Sequence, residues 1–122
     1  MWKLALLLLL LLAGCSRSVE KGQVPGVYEF ALDGLKQTIV VEYGGRYTNT
    51  LDENGVAVWT DQQTWTYETQ SGDTGVTFTH FRFGIPGYAS APGLWFVVPS
   101  KAMSGSKKLS FDADLGRCFL SR

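Results

Sequence analysis

The residues able to carry chemistry are few, and the histidine is the first of them. The chain contains one histidine and two cysteines, and His80 alternates with aromatic residues in the segment TFTHFRF. One histidine cannot form a multi-histidine zinc site, and no cysteine or carboxylate cluster lies near it in the sequence. We therefore predict a solvent-facing or hydrogen-bonded histidine on a strand, with a catalytic base as the alternative.

A second candidate is the segment DADLG at residues 112–116. It resembles the start of a calcium loop but lacks the third oxygen ligand and the distant bidentate glutamate. Aspartate at the start of a turn and glycine at its end are common in hairpins. The sequence also lacks the phosphate-loop, G-x-S-x-G and H-E-x-x-H motifs. We therefore predict a protein that is not an enzyme and that holds no metal or cofactor.

The beginning of the chain has the pattern of a secretory signal peptide. Lys3 precedes an uninterrupted apolar run at residues 4–13. As a helix this run is roughly 15 Å long, about half of a ~30 Å hydrocarbon core. A membrane-spanning anchor is therefore disfavoured, and cleavage is favoured.

The four residues at the end of this run and just beyond it, 12–15, indicate which kind of signal peptide it is. Leu12-Ala13-Gly14-Cys15 resembles the bacterial lipobox. The resemblance implies cleavage between Gly14 and Cys15, a diacylglycerol on the Cys15 sulfur and an acyl group such as palmitate on its nitrogen. The alternatives are an ordinary secretory peptide and a leucine-rich anchor with a buried cysteine. In Gram-negative lipoproteins an aspartate after the cysteine typically favours retention in the inner membrane, so Ser16 implies the outer membrane of the cell envelope.

Cleavage leaves one domain in which opposite charges balance. Residues 1–14 are the predicted signal peptide, 15–23 a lipidated cysteine with a flexible polar tether, and 24–122 a single domain. Without Lys3, ten of the eleven basic residues remain beside eleven acidic ones, and no block of like charge suggests nucleic acid as a partner.

Once Cys15 carries lipid, Cys118 has no partner in the chain. It is predicted as a buried thiol, with a reactive or intermolecular thiol as the alternative.

The rest of the chain predicts an all-β fold. Apolar residues alternate with polar ones between turn residues such as Gly44-Gly45, and no window has a helical period. Trp65 and Tyr67 alternate in this way and are predicted to face the core. About eight short antiparallel strands should form a small barrel or a strongly bent sheet. Their predicted segments are 27–32, 37–43, 46–51, 56–60, 63–69, 76–83, 94–98, 108–112 and 117–120.

The same region is similar to small lipocalin-like lipoproteins of the bacterial envelope. The order Gly26-Val27-Tyr28-Glu29, Gly45-Arg46-Tyr47 and Thr64-Trp65 resembles their GxYE…dGxY…GxW rhythm. The resemblance implies a lipocalin-like barrel. The CxxC motif of the copper-resistance members is absent from the sequence.

Two connections between predicted strands are too long to be tight turns. Residues 84–93 form a long loop with an aromatic, Tyr88, and Trp95 follows it on the next strand. Aromatic side chains above a rigid sheet often bind partners, so Tyr88 and Trp95 are candidate binding residues. The alternative is a simple crossover that covers a barrel mouth. Residues 99–106, next to Lys107 and Lys108, are predicted to be solvated, or to lie near anionic lipid headgroups.

Together these features predict a lipid-anchored envelope protein that acts as a binding or accessory module. It would meet the membrane through its lipid, and its partner would be an envelope protein or a small apolar ligand held in the barrel. The alternative is an inhibitor or immunity-type protein that blocks an envelope-acting enzyme, with the 84–93 loop as its plug.

Overall fold

The described residues form nine antiparallel strands. The computed structural model describes residues 19–84, 92–101, 105–112 and 117–122. A short 3₁₀ turn at Lys21–Gln23 precedes the first strand. The strands are β1 Gly26–Leu32, β2 Leu35–Val41, β3 Arg46–Glu53, β4 Val56–Gln70, β5 Asp73–Phe81, β6 Gly93–Val97, β7 Ser100–Lys101, β8 Lys107–Asp112 and β9 Arg117–Ser121.

These strands form one strongly curled sheet. Its order is β6-β5-β4-β3-β2-β1-β9-β8-β7, and the sheet bends into a half-barrel. Strands β6 and β8 lie near opposite edges of the sheet and approach each other without a hydrogen-bonded ladder between them. The prediction of an all-β antiparallel meander that forms a barrel or bent sheet is confirmed.

Strand β4 is longer than the sequence predicts. The predicted break between residues 60 and 63 is wrong, because β4 runs without interruption from Val56 to Gln70. Its first half pairs with β3 as far as Thr64, and its second half pairs with β5 from Trp65 onwards. Strand β4 therefore connects the part of the sheet that contains β1–β3 to the part that contains β5 and β6.

Aromatic side chains fill the concave side of the half-barrel. The Phe81 and Phe111 rings stack with centroids 4.7 Å apart, and Tyr47 meets Phe78 edge to face at 5.0 Å. Full burial of a large apolar side chain contributes about 1.5–3 kcal/mol. The fully buried aromatic residues are Tyr28, Tyr47, Phe78, Phe81 and Phe119.

A bulge in β5 changes which side chains reach this core. The pairing of β5 with β6 shifts register between Phe78 and Phe81, and His80 there has a left-handed φ of 47°. An extra residue in one strand of a pair moves the side chains of the residues after it to the opposite face of the sheet. Phe78 and Phe81 are therefore both buried although three positions separate them, while His80 is exposed.

The half-barrel has two ends. We call one the strap end, after residues 19–25, which cross it and are described below as the strap, and the opposite one the far end. At the far end the β1–β2 and β3–β4 turns meet, where Asn54 N donates to Gly34 O at 2.9 Å. At the strap end lie the beginning of β1, the β2–β3 turn at residues 42–45 and the residues that precede β1. Within the described ranges, no helix has the length and apolar character needed to cross a membrane.

Candidate functional site

The strap end is closed by a segment that the sequence predicts as tether. Residues 19–25, here called the strap, cross this end of the half-barrel. Val19 is 2% exposed and Val24 is fully buried, and both belong to the main hydrophobic core. The structure therefore differs from the prediction of a flexible tether for residues 19–23. Residues 15–18 of the predicted tether lie outside the described residues.

Side chains of the domain hold the strap by its carbonyl groups. The Tyr67 hydroxyl donates to Val19 O at 2.8 Å, and the Tyr28 hydroxyl donates to Val24 O at 2.5 Å. Within the strap, Gln23 N donates to Glu20 O at 2.9 Å, and Glu20 N donates to the Gln23 side chain at 3.3 Å. The strap is therefore a fixed part of the domain.

Lys107 joins the strap to the other side of the sheet. Its ammonium group donates to Gln23 O at 2.5 Å and to Pro25 O at 2.8 Å. Burial lowers the pKa of Lys107, and the charge of Lys101 lowers it further. Lys101 is the direct cross-strand partner of Lys107 in the β7–β8 pair. Like charges in that position repel, so this corner favours a bound anion.

Tyr43 is the most prominent side chain at the strap end. The sequence predicts a strand at 37–43 that includes Tyr43, and that boundary is wrong: β2 ends at Val41 and Tyr43 is 82% exposed. The turn that carries it is fixed, because Trp65 Nε1 donates to Glu42 O and Trp65 N donates to Gly45 O, both at 2.9 Å. Tyr43 therefore projects into solvent from a rigid base.

Two clefts flank Tyr43. One has a volume of about 420 Å³, and its lining includes Lys21, Trp65 and Tyr67. The other has a volume of about 230 Å³, and its lining includes Lys101 and Lys107. Among the described residues no acidic side chain lines either cleft. The strap end therefore presents an exposed aromatic ring between cationic clefts, an arrangement that can bind a surface carrying negative charge.

Of the sequence-predicted binding and lipidation residues, Trp95 alone lies among the described residues. The Trp95 ring is half-buried and meets Phe83 edge to face at 4.9 Å and Phe111 at 6.1 Å, so it packs against the core. Tyr88 and most of the predicted plug loop lie outside the described residues, as does the whole of the lipobox with Cys15. The described flanks of the loop are Gly84 and Gly93.

The residues that the sequence singles out for chemistry are His80, Cys118 and the DADLG segment. Within the described ranges no group of three or more histidine, cysteine or acidic residues could hold a metal ion. His80 is exposed on the β5 bulge. The Cys118 thiol is half-buried and lies 3.0 Å from the Ser110 hydroxyl. Residues 113–116 of the DADLG segment lie outside the described residues.

The far end contains a buried polar network. The Gln37 side chain donates to Asn49 Oδ1 at 2.8 Å and to Arg82 O at 2.9 Å, and it accepts from Gly84 N at 3.1 Å. Asn49 also donates to Arg82 O at 3.0 Å. Because these groups satisfy one another, the network is structural: it fixes the residues that lead into the 84–93 loop.

The same segment is held from outside by an ion pair. Arg82 Nε donates to Asp61 Oδ2 at 2.7 Å and Nη2 donates to Oδ1 at 3.0 Å. The guanidinium carbon lies 4.0 Å from the centroid of the Trp59 ring. A bidentate pair of this kind fixes orientation more than it adds energy at a partly exposed site.

The sequence did not predict that the strap and Tyr43 lie together at one end of the half-barrel. The polar segment SRSVEKGQ gives no periodic signal, and the burial of its only valine depends on a mouth formed by distant strands. The proximity of Glu42-Tyr43 to Gly44-Gly45 was an available signal, since a residue next to a two-glycine turn often leaves the strand.

Comparisons of the chain with protein-family models, curated proteins and solved structures return no match.

Proposed function

We propose that the protein is a bacterial envelope lipoprotein, anchored through lipid on Cys15, whose β domain is a non-catalytic binding or accessory module. The observation that carries this proposal is the short spacing between the lipobox and the domain. Cys15 ends the LAGC motif, and Val19, the fourth residue after it, is already buried in the core. A chain that begins at Cys15 would pass almost directly from lipid to folded domain.

The packing of the half-barrel favours binding through its outer surface. Rings from several strands occupy the concave side, with neighbouring centroids between 4.7 and 6.1 Å apart. The protein's own side chains therefore occupy the interior, which leaves the outer surface of the sheet for a partner. We therefore propose an envelope protein as the partner in preference to a small apolar ligand inside the barrel.

The anchor is tested in the full chain, expressed in a Gram-negative bacterium supplied with labelled palmitate. The variant Cys15→Ser should lose the label and remain uncleaved, because the thiol that accepts the lipid is gone. The matched control is Cys118→Ser, which changes the chain's other cysteine and should keep both label and cleavage. Label retained in Cys15→Ser, or absent from the unmodified chain, would contradict the proposal.

The binding role is tested by chemical cross-linking in intact cells followed by purification of the lipidated protein. A stoichiometric envelope protein supports the accessory role. Recovery of non-covalently bound lipid alone, in an amount equal to the protein, would favour a carrier and contradict a protein partner. A captured hydrolase that the purified protein inhibits would favour the inhibitor alternative.

A further inference from the structure

We infer that the strap end rests on the membrane, with Tyr43 at the level of the lipid headgroups and Lys21 and Lys101 beside anionic phosphates. This inference rests on the proposed lipid anchor at Cys15. It adds an orientation for the domain and a lipid-contacting surface made of residues far apart in the sequence.

The first argument is reach. Val19 is the fourth residue after Cys15, and four residues span at most about 14 Å when fully extended. Val19 is fixed in the core by burial and by the Tyr67 hydroxyl. The lipid therefore cannot lie far from the point where Val19 enters the domain, and that point is at the strap end.

The second argument is restricted rotation. A domain on a long flexible linker samples all orientations, whereas the strap is held at Val19, Gln23, Val24 and Pro25 by hydrogen bonds from three different strands. The strap therefore cannot turn independently of the sheet. The face around the strap is consequently the face presented to the bilayer.

The third argument is the chemistry of that face. Tyrosine combines an apolar ring with a polar tip and is enriched at membrane interfaces. Tyr43 is 82% exposed on a fixed turn, with Lys21 in the cleft on one side and Lys101 in the cleft on the other. Within the described part of the chain neither lysine forms an ion pair.

The charges of this end favour anionic lipid. Basic residues outnumber acidic ones at or beside the strap and the β2–β3 turn. The basic residues are Lys21, Arg46, Lys101 and Lys107, and the acidic ones are Glu20 and Glu42. Each basic residue near an anionic leaflet contributes on the order of 1 kcal/mol. The direct pairing of Lys101 with Lys107 adds a repulsion that a phosphate between them would relieve. Anionic headgroups therefore complement this surface.

The experiment uses the full lipidated chain in vesicles, with an environment-sensitive fluorophore on a single introduced cysteine. The background variant is Cys118→Ser, so that only the new thiol reacts. The test position is Tyr43→Cys, and the matched control is Val56→Cys at the far end, where the side chain is 69% exposed. Thermal melts of both labelled proteins establish that each is folded.

In vesicles of phosphatidylcholine with phosphatidylglycerol and a quencher-bearing lipid, the label at position 43 should lose most of its fluorescence. The label at position 56 should keep it. Equal quenching at both positions, or stronger quenching at position 56, would overturn the orientation. If palmitate labelling confirms the anchor and position 43 stays unquenched, only this inference fails; if labelling fails, the proposed function fails.

Charge recognition is tested separately with the double variant Lys21→Gln and Lys101→Gln. In the anionic vesicles, quenching at position 43 should be weaker in the double variant than in the protein that keeps both lysines. In that protein, quenching should be weaker with phosphatidylcholine alone than in the anionic vesicles. The control Lys36→Gln changes an exposed lysine at the far end and should leave quenching unaltered. Equal quenching in neutral and anionic vesicles would overturn the role of the lysines.

Discussion

The Tyr67 hydroxyl donates a 2.8 Å hydrogen bond to the carbonyl of Val19, which joins strand β4 to the fourth residue after Cys15. This contact helps to set where the chain enters the domain. Because the Val19 side chain is also buried, the entry point is fixed by polar and apolar interactions together.

Removing that hydroxyl should loosen the strap without unfolding the sheet. A hydrogen bond of this kind contributes about 0.5–1.5 kcal/mol, so Tyr67→Phe should increase hydrogen exchange in residues 19–23 and leave β1–β3 protected. The matched control is Tyr43→Phe, whose hydroxyl lies on a ring that is 82% exposed. Increased exchange throughout the sheet would show that the strap and the sheet do not open separately.

Trp65 should be a major source of stability. Its ring is 4% exposed and its Nε1 donates to Glu42 O, so Trp65→Ala removes a large buried volume and one fixed point of the β2–β3 turn. Loss of such a side chain costs about 3–5 kcal/mol, which urea unfolding measures. The exposed Tyr43→Ala should change the free energy of unfolding by less than about 0.5 kcal/mol. A Trp65→Ala protein as stable as the unmodified one would contradict the packing described for this ring.

The buried glutamine at the far end should tolerate no apolar replacement. Gln37→Met keeps the approximate size but leaves Gly84 N and the Asn49 carbonyl oxygen without their present partner. Each unsatisfied buried group costs about 1–3 kcal/mol, so the loss should exceed about 2 kcal/mol in urea unfolding. Gln70→Met, on the exposed β4–β5 hairpin, is the control and should be nearly neutral. A neutral Gln37→Met would mean that the network does not fix residues 82–84.

Stability should fall in alkaline solution because two buried tyrosines resist ionisation. Burial raises the pKa of Tyr28 to about 12 from its ordinary 10.0. Burial, and then the charge of Asp61, raises the pKa of Tyr47 as well. The folded chain holds these protons more tightly than the unfolded chain, so the free energy of unfolding is unaffected below about pH 10 and decreases as the pH rises towards 12.

Chemical denaturation at successive pH values measures this dependence. Tyr28→Phe removes one of the two ionising groups, so its stability should decrease less steeply between pH 10 and 12, whatever its stability at neutral pH. Tyr43→Phe, which changes an exposed tyrosine, should show the same slope as the unmodified protein. An unmodified protein with constant stability up to pH 12 would contradict the buried environment of both hydroxyls.

The fold was largely predictable because two-residue periodicity and turn residues are local signals. Trp65 is buried and Tyr67 packs against the core as their alternation predicts, and Gly45 with φ of 83° completes the predicted turn. The errors arise where tertiary structure overrides local pattern. Tyr43 continues the alternation of β2 in sequence, but the strand has already ended at Val41.

The candidate site was much less predictable, since it depends on contacts between residues distant in sequence. Val19 is buried only because Tyr67, forty-eight positions later, lines the mouth that receives it. Lys107 reaches Gln23 across eighty-four positions. A polar octapeptide contains no local feature that distinguishes such a strap from a free tether, so its docking required the assembled sheet.

The position of β9 has a consequence for how the molecule is made. This strand lies beside β1 in the middle of the sheet, where Arg122 N donates to Val27 O at 3.0 Å and the Arg122 side chain pairs with Glu29. During folding, β1 keeps one open edge until residues 117–122 dock beside it. An open strand edge invites pairing with other chains, so a folding intermediate in which β9 has not yet docked exposes a site for aggregation in the middle of the sheet.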